Sequence, residues 1–354
     1  MMTFLRWLGR ALFALLVLAL LAGGWATWKF GHWKAEKTAS LDAGSRIVQI
    51  AAGPIEFAEH GSGPPVLVCH GAPGGYDQAA LIGGSLANAG FRVIAPSRPG
   101  FLRTPLTTGI LFNEQADAFA ALLDKLGIRR VSVLGFSTGA QVAAQFAIRH
   151  PERTAALVLL SPLTNPYLRY APNEPRQLLP EAALSQTTGD IGSWLFVEQA
   201  RRDPRRLLDA ALAADTTLDD PRRRKLADFV LADPAQLAFF QNLVGTLAPL
   251  STRESGTRND LLLVRALDPV PYEKIQAPTL LVHGGADAAG KWNDVAEITA
   301  HLPTAKVVTV RDAGQLIWFG PDATAAQRAV VEFLQNPPPA PIPTPTPTPA
   351  PPAN

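Results

Sequence analysis

At 354 residues the chain has room for one large domain or two small ones, either with a substantial core. Hydrophobic residues make up 47% of it and charged residues 18%, which excludes global disorder. A net charge of +2 with no basic stripe interleaved with aromatics excludes a nucleic-acid partner, and the single cysteine, Cys69, excludes an internal disulfide.

From Ala11 to Trp28 an uncharged run of 18 residues follows Arg6 and Arg10 and precedes Lys29, just long enough to cross a bilayer. Trp25, Trp28 and Trp33 at its far end suit an interfacial aromatic belt, so residues 1–36 are expected to be a retained anchor and a polar linker. A cleaved signal peptide is the other reading, although Ala22 and Gly24 make a poor cleavage site. Basic residues flank both sides of the run. The expected placement is a domain facing the periplasm or the exterior, with secretion after cleavage as its alternative.

Beyond the linker, RIVQIAAGPIEFAEHG holds two short runs split by Gly53-Pro54, predicting an antiparallel hairpin at a sheet edge. Six β-rich runs follow, at 65–70, 91–96, 130–136, 156–162, 278–284 and 305–310, each apolar on both faces. Strands buried on both sides belong to parallel sheets covered by helices, so the fold expected is α/β, doubly wound and mostly parallel. Helical spacing over 113–127, ending on Gly127, predicts one covering helix, and 139–149 predicts another.

The core is therefore expected in 37–162 and 271–336, interrupted at 163–270 by an inserted helical cap with no convincing strand. Arg201, Arg202, Arg205, Arg206 and Arg222 to Arg224 alternate there with Asp203, Asp209, Asp219 and Asp220. That pattern reads as a solvated helix face, with a site for an anionic substrate or lipid headgroups as the second reading. The tail at 337–354 alternates proline with small residues, which predicts an extended polyproline II spacer; a Pro-binding partner domain is the alternative.

Gly135-Phe136-Ser137-Thr138-Gly139 lies where a predicted strand meets a predicted helix. A G-x-S-x-G turn of this kind projects the serine hydroxyl above the sheet and needs small neighbours, which Gly135, Gly139 and Ala140 supply. The helix N-terminus beneath Ser137 offers free N–H groups and a positive dipole to a developing oxyanion. The glycine-rich loop His70 to Gly75 follows the first buried strand, so the backbone N–H of Ala72 pairs with that of Thr138 as the candidate oxyanion hole. His70 itself reads as a structural, hydrogen-bonded histidine.

With HGAPGG, SRPGF, GFSTG, RESGTRND and PTLLVHGGAD in this order, the chain resembles the α/β-hydrolase family over roughly residues 54–335. The resemblance implies a Ser-acid-His triad with Ser137 as nucleophile and Asp287, in Gly284-Gly285-Ala286-Asp287, as the acid. Its histidine falls in a D-A-G-H loop, and here Asp312-Ala313-Gly314 is followed by Gln315. A neutral amide cannot accept the serine proton. Only His70 and His283 lie where a substitute base is conceivable. Two readings stay open: a serine hydrolase of a small ester or amide-like substrate with reduced turnover, and an inactive pseudo-hydrolase that binds or scaffolds. Both expect a small-molecule ligand, a membrane contact through the N-terminal segment, and neither cofactor nor metal.

Overall fold

A computed structural model describes residues 2–163, 186–266, 268–288, 292–302 and 304–339. The expected tail beyond 339 and the first part of the expected cap, 164–185, lie outside the described residues.

The hairpin forms as β1 (Arg46–Ile50) and β2 (Gly53–His60), paired antiparallel around the Gly53 turn. The six apolar runs form β3 (Pro65–Cys69), β4 (Arg92–Pro96), β5 (Val131–Phe136), β6 (Thr154–Leu160), β7 (Thr279–Gly284) and β8 (Lys306–Val310). The sheet has the order β1-β2-β4-β3-β5-β6-β7-β8, with every pairing from β4 to β8 parallel. Its register places Cys69 beside Gly135, Gly135 beside Leu159 and Leu159 beside Leu281. The loops after β3, β5, β6, β7 and β8 therefore open along one edge, where ligands bind in sheets of this kind.

Helices cover both faces. On one face α3 (Phe112–Lys125) and α4 (Thr138–Arg149) bury Phe119, Leu122 and Phe146. On the other, α2 (Tyr76–Asn88) and α10 (Ala323–Gln335) bury Leu86 and Phe333. Gly127 takes φ 68° just after α3, the left-handed turn for which a glycine was expected there.

The described part of the cap holds α5 (Gln186–Arg202), α6 (Pro204–Asp215), α7 (Asp220–Ala232), α8 (Pro234–Gly245) and α9 (Glu254–Arg265). Several of the aspartates read as a solvated face have a local duty. Asp203 and Asp219 accept from backbone N–H groups at the starts of α6 and α7, and Asp233 does the same for α8. Each is followed within two residues by a proline that suits a first helical turn. Arg205 pairs with Asp209 and Asp228 on the exposed side, as a solvated face requires.

The N-terminal segment departs from the expected anchor plus separate linker. One helix, α1 (Met2–Ala43), runs through both, so position 36 falls inside a helix. Among the described residues it is the helix long and apolar enough to cross a membrane. Its second half docks. Trp33 and Phe30 pack on Trp194 of α5, Lys34 pairs with the buried carboxylate of Asp190 at 2.6 Å, and Lys29 faces Glu198 at 3.6 Å. Leu41 is buried against Ala58 and Tyr76, and its carbonyl accepts from Tyr76 Oη at 2.6 Å. Burial between the domain and α1 pulls the Lys37 amine below its usual range, with the Arg253 charge adding to the effect and Asp77 opposing it.

Candidate active site

The turn after β5 carries Ser137 at φ 54° and ψ −122°, a conformation that costs a non-glycine residue energy and is retained where the surroundings enforce it. The enforcement is close packing. A Cβ at Gly139 would lie 2.3 Å from the carbonyl oxygens of both Cys69 and His70, so α4 can approach β3 only with glycine there. Ser137 is buried, and α4 begins one residue later, so the N–H of Thr138 belongs to a first helical turn. Ala72 lines the same cavity as Ser137.

Gln315 meets Ser137. Its Nε2 donates to Ser137 Oγ at 3.1 Å, and its backbone is pinned on both sides. The carbonyl accepts from Ser161 Oγ at 2.9 Å, with Ser161 itself at φ 44° after β6. The N–H groups of Gln315 and Leu316 point to the carboxyl of Asp215, the latter at 3.2 Å. An amide fixed in this way donates to the hydroxyl and takes no proton from it.

Asp215 was not anticipated. It ends α6 of the cap and reaches the site because the segment after it pairs with the loop after β7. Ala288 N–H donates to the Asp215 carbonyl at 3.0 Å, Thr217 N–H donates to Ala286 O at 2.8 Å, and Thr216 bridges Asp287. Gly314 makes room for it, since a Cβ there would fall 2.3 Å from Asp215 Oδ2. Burial pushes the Asp215 carboxyl up to about 7; the charge of Asp287 adds to the shift, and the Leu316 and Gln315 N–H groups oppose it.

Asp287 is buried in the loop after β7, where the resemblance put it, with its Oδ2 4.0 Å from His283 Nδ1. His283 lies within β7 itself and is buried. His70 is locked: Nδ1 donates to Gly71 O at 2.7 Å, and Nε2 accepts the Arg98 N–H at 2.9 Å. Burial holds its pKa well below the usual histidine value, and the neighbouring Arg98 charge adds to this. Both ring nitrogens are engaged, so the structural reading of His70 holds. Cys69, buried beside it, is pushed up to about 12 and carries no thiolate at neutral pH.

Two buried ion pairs brace these loops. Arg98 meets Asp260 and also donates to Thr138 Oγ1 at 3.0 Å, while Thr138 Oγ1 donates to Asp260 Oδ2 at 2.8 Å. Arg253 donates to Gly74 O at 2.6 Å and to Asp77 Oδ2 at 2.9 Å, which steadies the loop that holds Ala72. The blocks SRPGF and RESGTRND contain three of these four side chains, but sequence alone carries no sign that they meet.

Over Ser137 lies a cavity of about 270 Å³. Core residues Phe136, Gln315 and Leu316 form its floor, and Phe196, Leu207, Phe240 and Leu243 of the cap form its apolar walls. Among the described residues no group of three or more His, Cys, Asp or Glu side chains is placed to hold a metal ion.

The sequence pattern of the α/β hydrolase fold matches residues 64–320, well over half of the chain. The chain belongs to the α/β-hydrolase family. A protein of Bacillus subtilis (strain 168) described as the uncharacterized hydrolase YcgS is 24% identical over 289 residues, 80% of this chain and 96% of its own length. A 2-hydroxy-6-oxononadienedioate/2-hydroxy-6-oxononatrienedioate hydrolase of Cupriavidus pinatubonensis (strain JMP 134 / LMG 1197) is 27% identical over 316 residues, 86% of this chain and all of its own. A solved α/β-hydrolase-fold protein from Nakamurella multipartita superposes with a TM-score of 0.74 at 29% identity, covering 82% of this chain and 99% of that one. The family relationship thus spans the sheet, the elbow and the cap, and the relatives named as hydrolases support hydrolytic chemistry in this one.

Proposed function

We propose that this family member is a membrane-anchored serine hydrolase of reduced turnover, acting on a small apolar ester or amide-like substrate in the cavity above Ser137. The observation that carries this reading is the 3.1 Å contact from Gln315 Nε2 to Ser137 Oγ, which occupies the place of a general base with a donor. Ser137 is the nucleophile, and the N–H groups of Ala72 and Thr138 are the oxyanion donors. Asp287 keeps the family's acid position, beside His283 of β7, while residue 315 supplies no imidazole. In the forward step Ser137 Oγ bonds to the substrate carbonyl carbon as that carbon's bond to the leaving oxygen or nitrogen breaks; solvent takes the serine proton and returns one to the departing alcohol or amine. Water then cleaves the acyl-serine ester and releases the acid. Loss of the base costs about 10⁴ to 10⁶ in turnover, while oxyanion stabilisation and binding retain about 10³ over water. The second reading, a pseudo-hydrolase that only binds its ligand, is favoured by the same Gln315 contact.

A fluorophosphonate label separates the two. Slow, Ser137-dependent labelling that Ser137→Ala abolishes supports the hydrolase. Folded wild-type protein that stays unlabelled after prolonged exposure would leave the binding reading in its place.

A further inference from the structure

The register between α1 and α5 fixes where the cavity sits relative to a bilayer. Along α1, Lys29, Phe30 with Trp33, and Lys34 meet Glu198, Trp194 and Asp190 of α5 in that order. The two helices are therefore antiparallel, and α5 descends toward the apolar run of α1. Lys29 is the first charged residue after that run. Glu198 thus lies at the edge of the hydrocarbon, and Arg201 and Arg202, about one turn further along α1, reach back to the headgroups with their long side chains. Among the described residues these two arginines pair with Glu198 on their own helix, and they are 69% and 67% exposed at the side chain, in position for lipid phosphates.

Phe196 lies between Trp194 and Glu198, so it stands within about one helical turn, roughly 5 Å, of the end of the membrane run. The interfacial zone of a bilayer is about that deep on each side. Phe196 lines the Ser137 cavity and is nonetheless 53% exposed, so the cavity reaches the surface there. Beside it Leu195 and Ile191 project from α5, 53% and 39% exposed, on a helix that otherwise packs on α6 and α8 and meets α1 at Asp190, Trp194 and Glu198. An apolar cluster at a cavity mouth, at interfacial depth and rimmed by arginines, suits a lipid surface better than water.

We propose that the Ser137 cavity takes single-chain acyl lipids sideways from the bilayer that α1 crosses, through the mouth at Phe196. Ile191 and Leu195 hold the mouth in the interface, and Leu207, Phe240 and Leu243 receive the acyl chain. The assignment rests on the cavity being the ligand site of the proposed function, and it is independent of turnover.

The test uses the full chain in phosphatidylcholine nanodiscs doped with a lysophosphatidylcholine bearing a diazirine on its acyl chain. Photolysis is followed by peptide mapping. Wild type is expected to label both the run at 11–28, from surrounding lipid, and the cavity peptides holding Leu207 and Leu243. Ile191→Asp with Leu195→Asp should lower cavity labelling by about tenfold, the loss expected when two large apolar contacts with the interface are removed, and leave the 11–28 labelling unchanged. Ala211→Trp, which fills the cavity from its wall, should abolish cavity labelling alone. Ser137→Ala should label as wild type does, so failure of the hydrolase reading leaves this result standing. Labelling confined to 11–28 in wild type overturns the proposal. So does cavity labelling that persists in Ala211→Trp, or that is undiminished in the double aspartate variant.

Discussion

Arg98 spans the carboxylate of Asp260 with both Nη atoms, at 2.7 and 2.6 Å, directly beneath the turn that carries Ser137. Both side chains are buried, and Arg98 Nε is satisfied by Gln115 at 3.0 Å. Removing one member of such a pair strands the other charge without water. Asp260→Ala is expected to lose about 3 to 5 kcal/mol in urea unfolding, more than a surface pair such as Arg149–Asp117 would lose. Equal losses at the two sites would show that Arg98 is solvated.

Replacing Gln315 by histidine restores the absent group at a position whose backbone is already held by Ser161 and Asp215. Hydrolysis of a p-nitrophenyl ester should rise by about 10² to 10⁴, the usual worth of a general base, and fall to background when Ser137→Ala is added. An unchanged rate in folded Gln315→His would mean that the imidazole does not stand between Ser137 and Asp287.

The raised pKa of Asp215 makes stability depend on pH with a defined sign. Between the unfolded value of 3.8 and the folded value of about 7, the native chain holds a proton that the unfolded chain has lost. Stability from this group therefore falls as pH rises from about 4 to about 7 and is flat above. Asp215→Asn cannot titrate and keeps an acceptor for the loop N–H groups. Its stability relative to wild type should improve steadily across that window, read as the difference in Tm at matched pH. A constant difference would show that Asp215 is ionised throughout.

Truncation separates the membrane run from the docked half of α1. Removing residues 1–28 should leave Tm unchanged, because the side chains described in that stretch are exposed apart from half-buried Ala26. Removing 1–36 strips Phe30 and Trp33 from Trp194 and Lys34 from Asp190, although Ser251 still donates to the Asp190 carboxylate. That shorter chain should melt several degrees lower, consistent with a loss of about 1 to 3 kcal/mol. Identical melting of the two truncated chains would restore the picture of a free linker.

The apolar runs, the elbow at Ser137 and the glutamine after Gly314 were legible in the sequence because each is encoded by near neighbours. Strand burial shows as consecutive apolar residues, a helix start as a turn motif, and a strained serine as flanking glycines. The continuity of α1 was also written locally, since no proline or glycine interrupts residues 32–43. Polar composition there was read as a linker, whereas the docked face needs only Trp33, Lys34, Lys37 and Leu41. The tertiary structure alone decided that Asp215 of the cap caps the Gln315 loop, that Arg98 finds Asp260 across 162 residues, and that α5 descends along α1 to set the cavity mouth beside the membrane run. A single charged residue carries no periodicity that names its partner; the return path of the chain through the sheet and cap sets which charges share a site, and burial then makes the pairing matter.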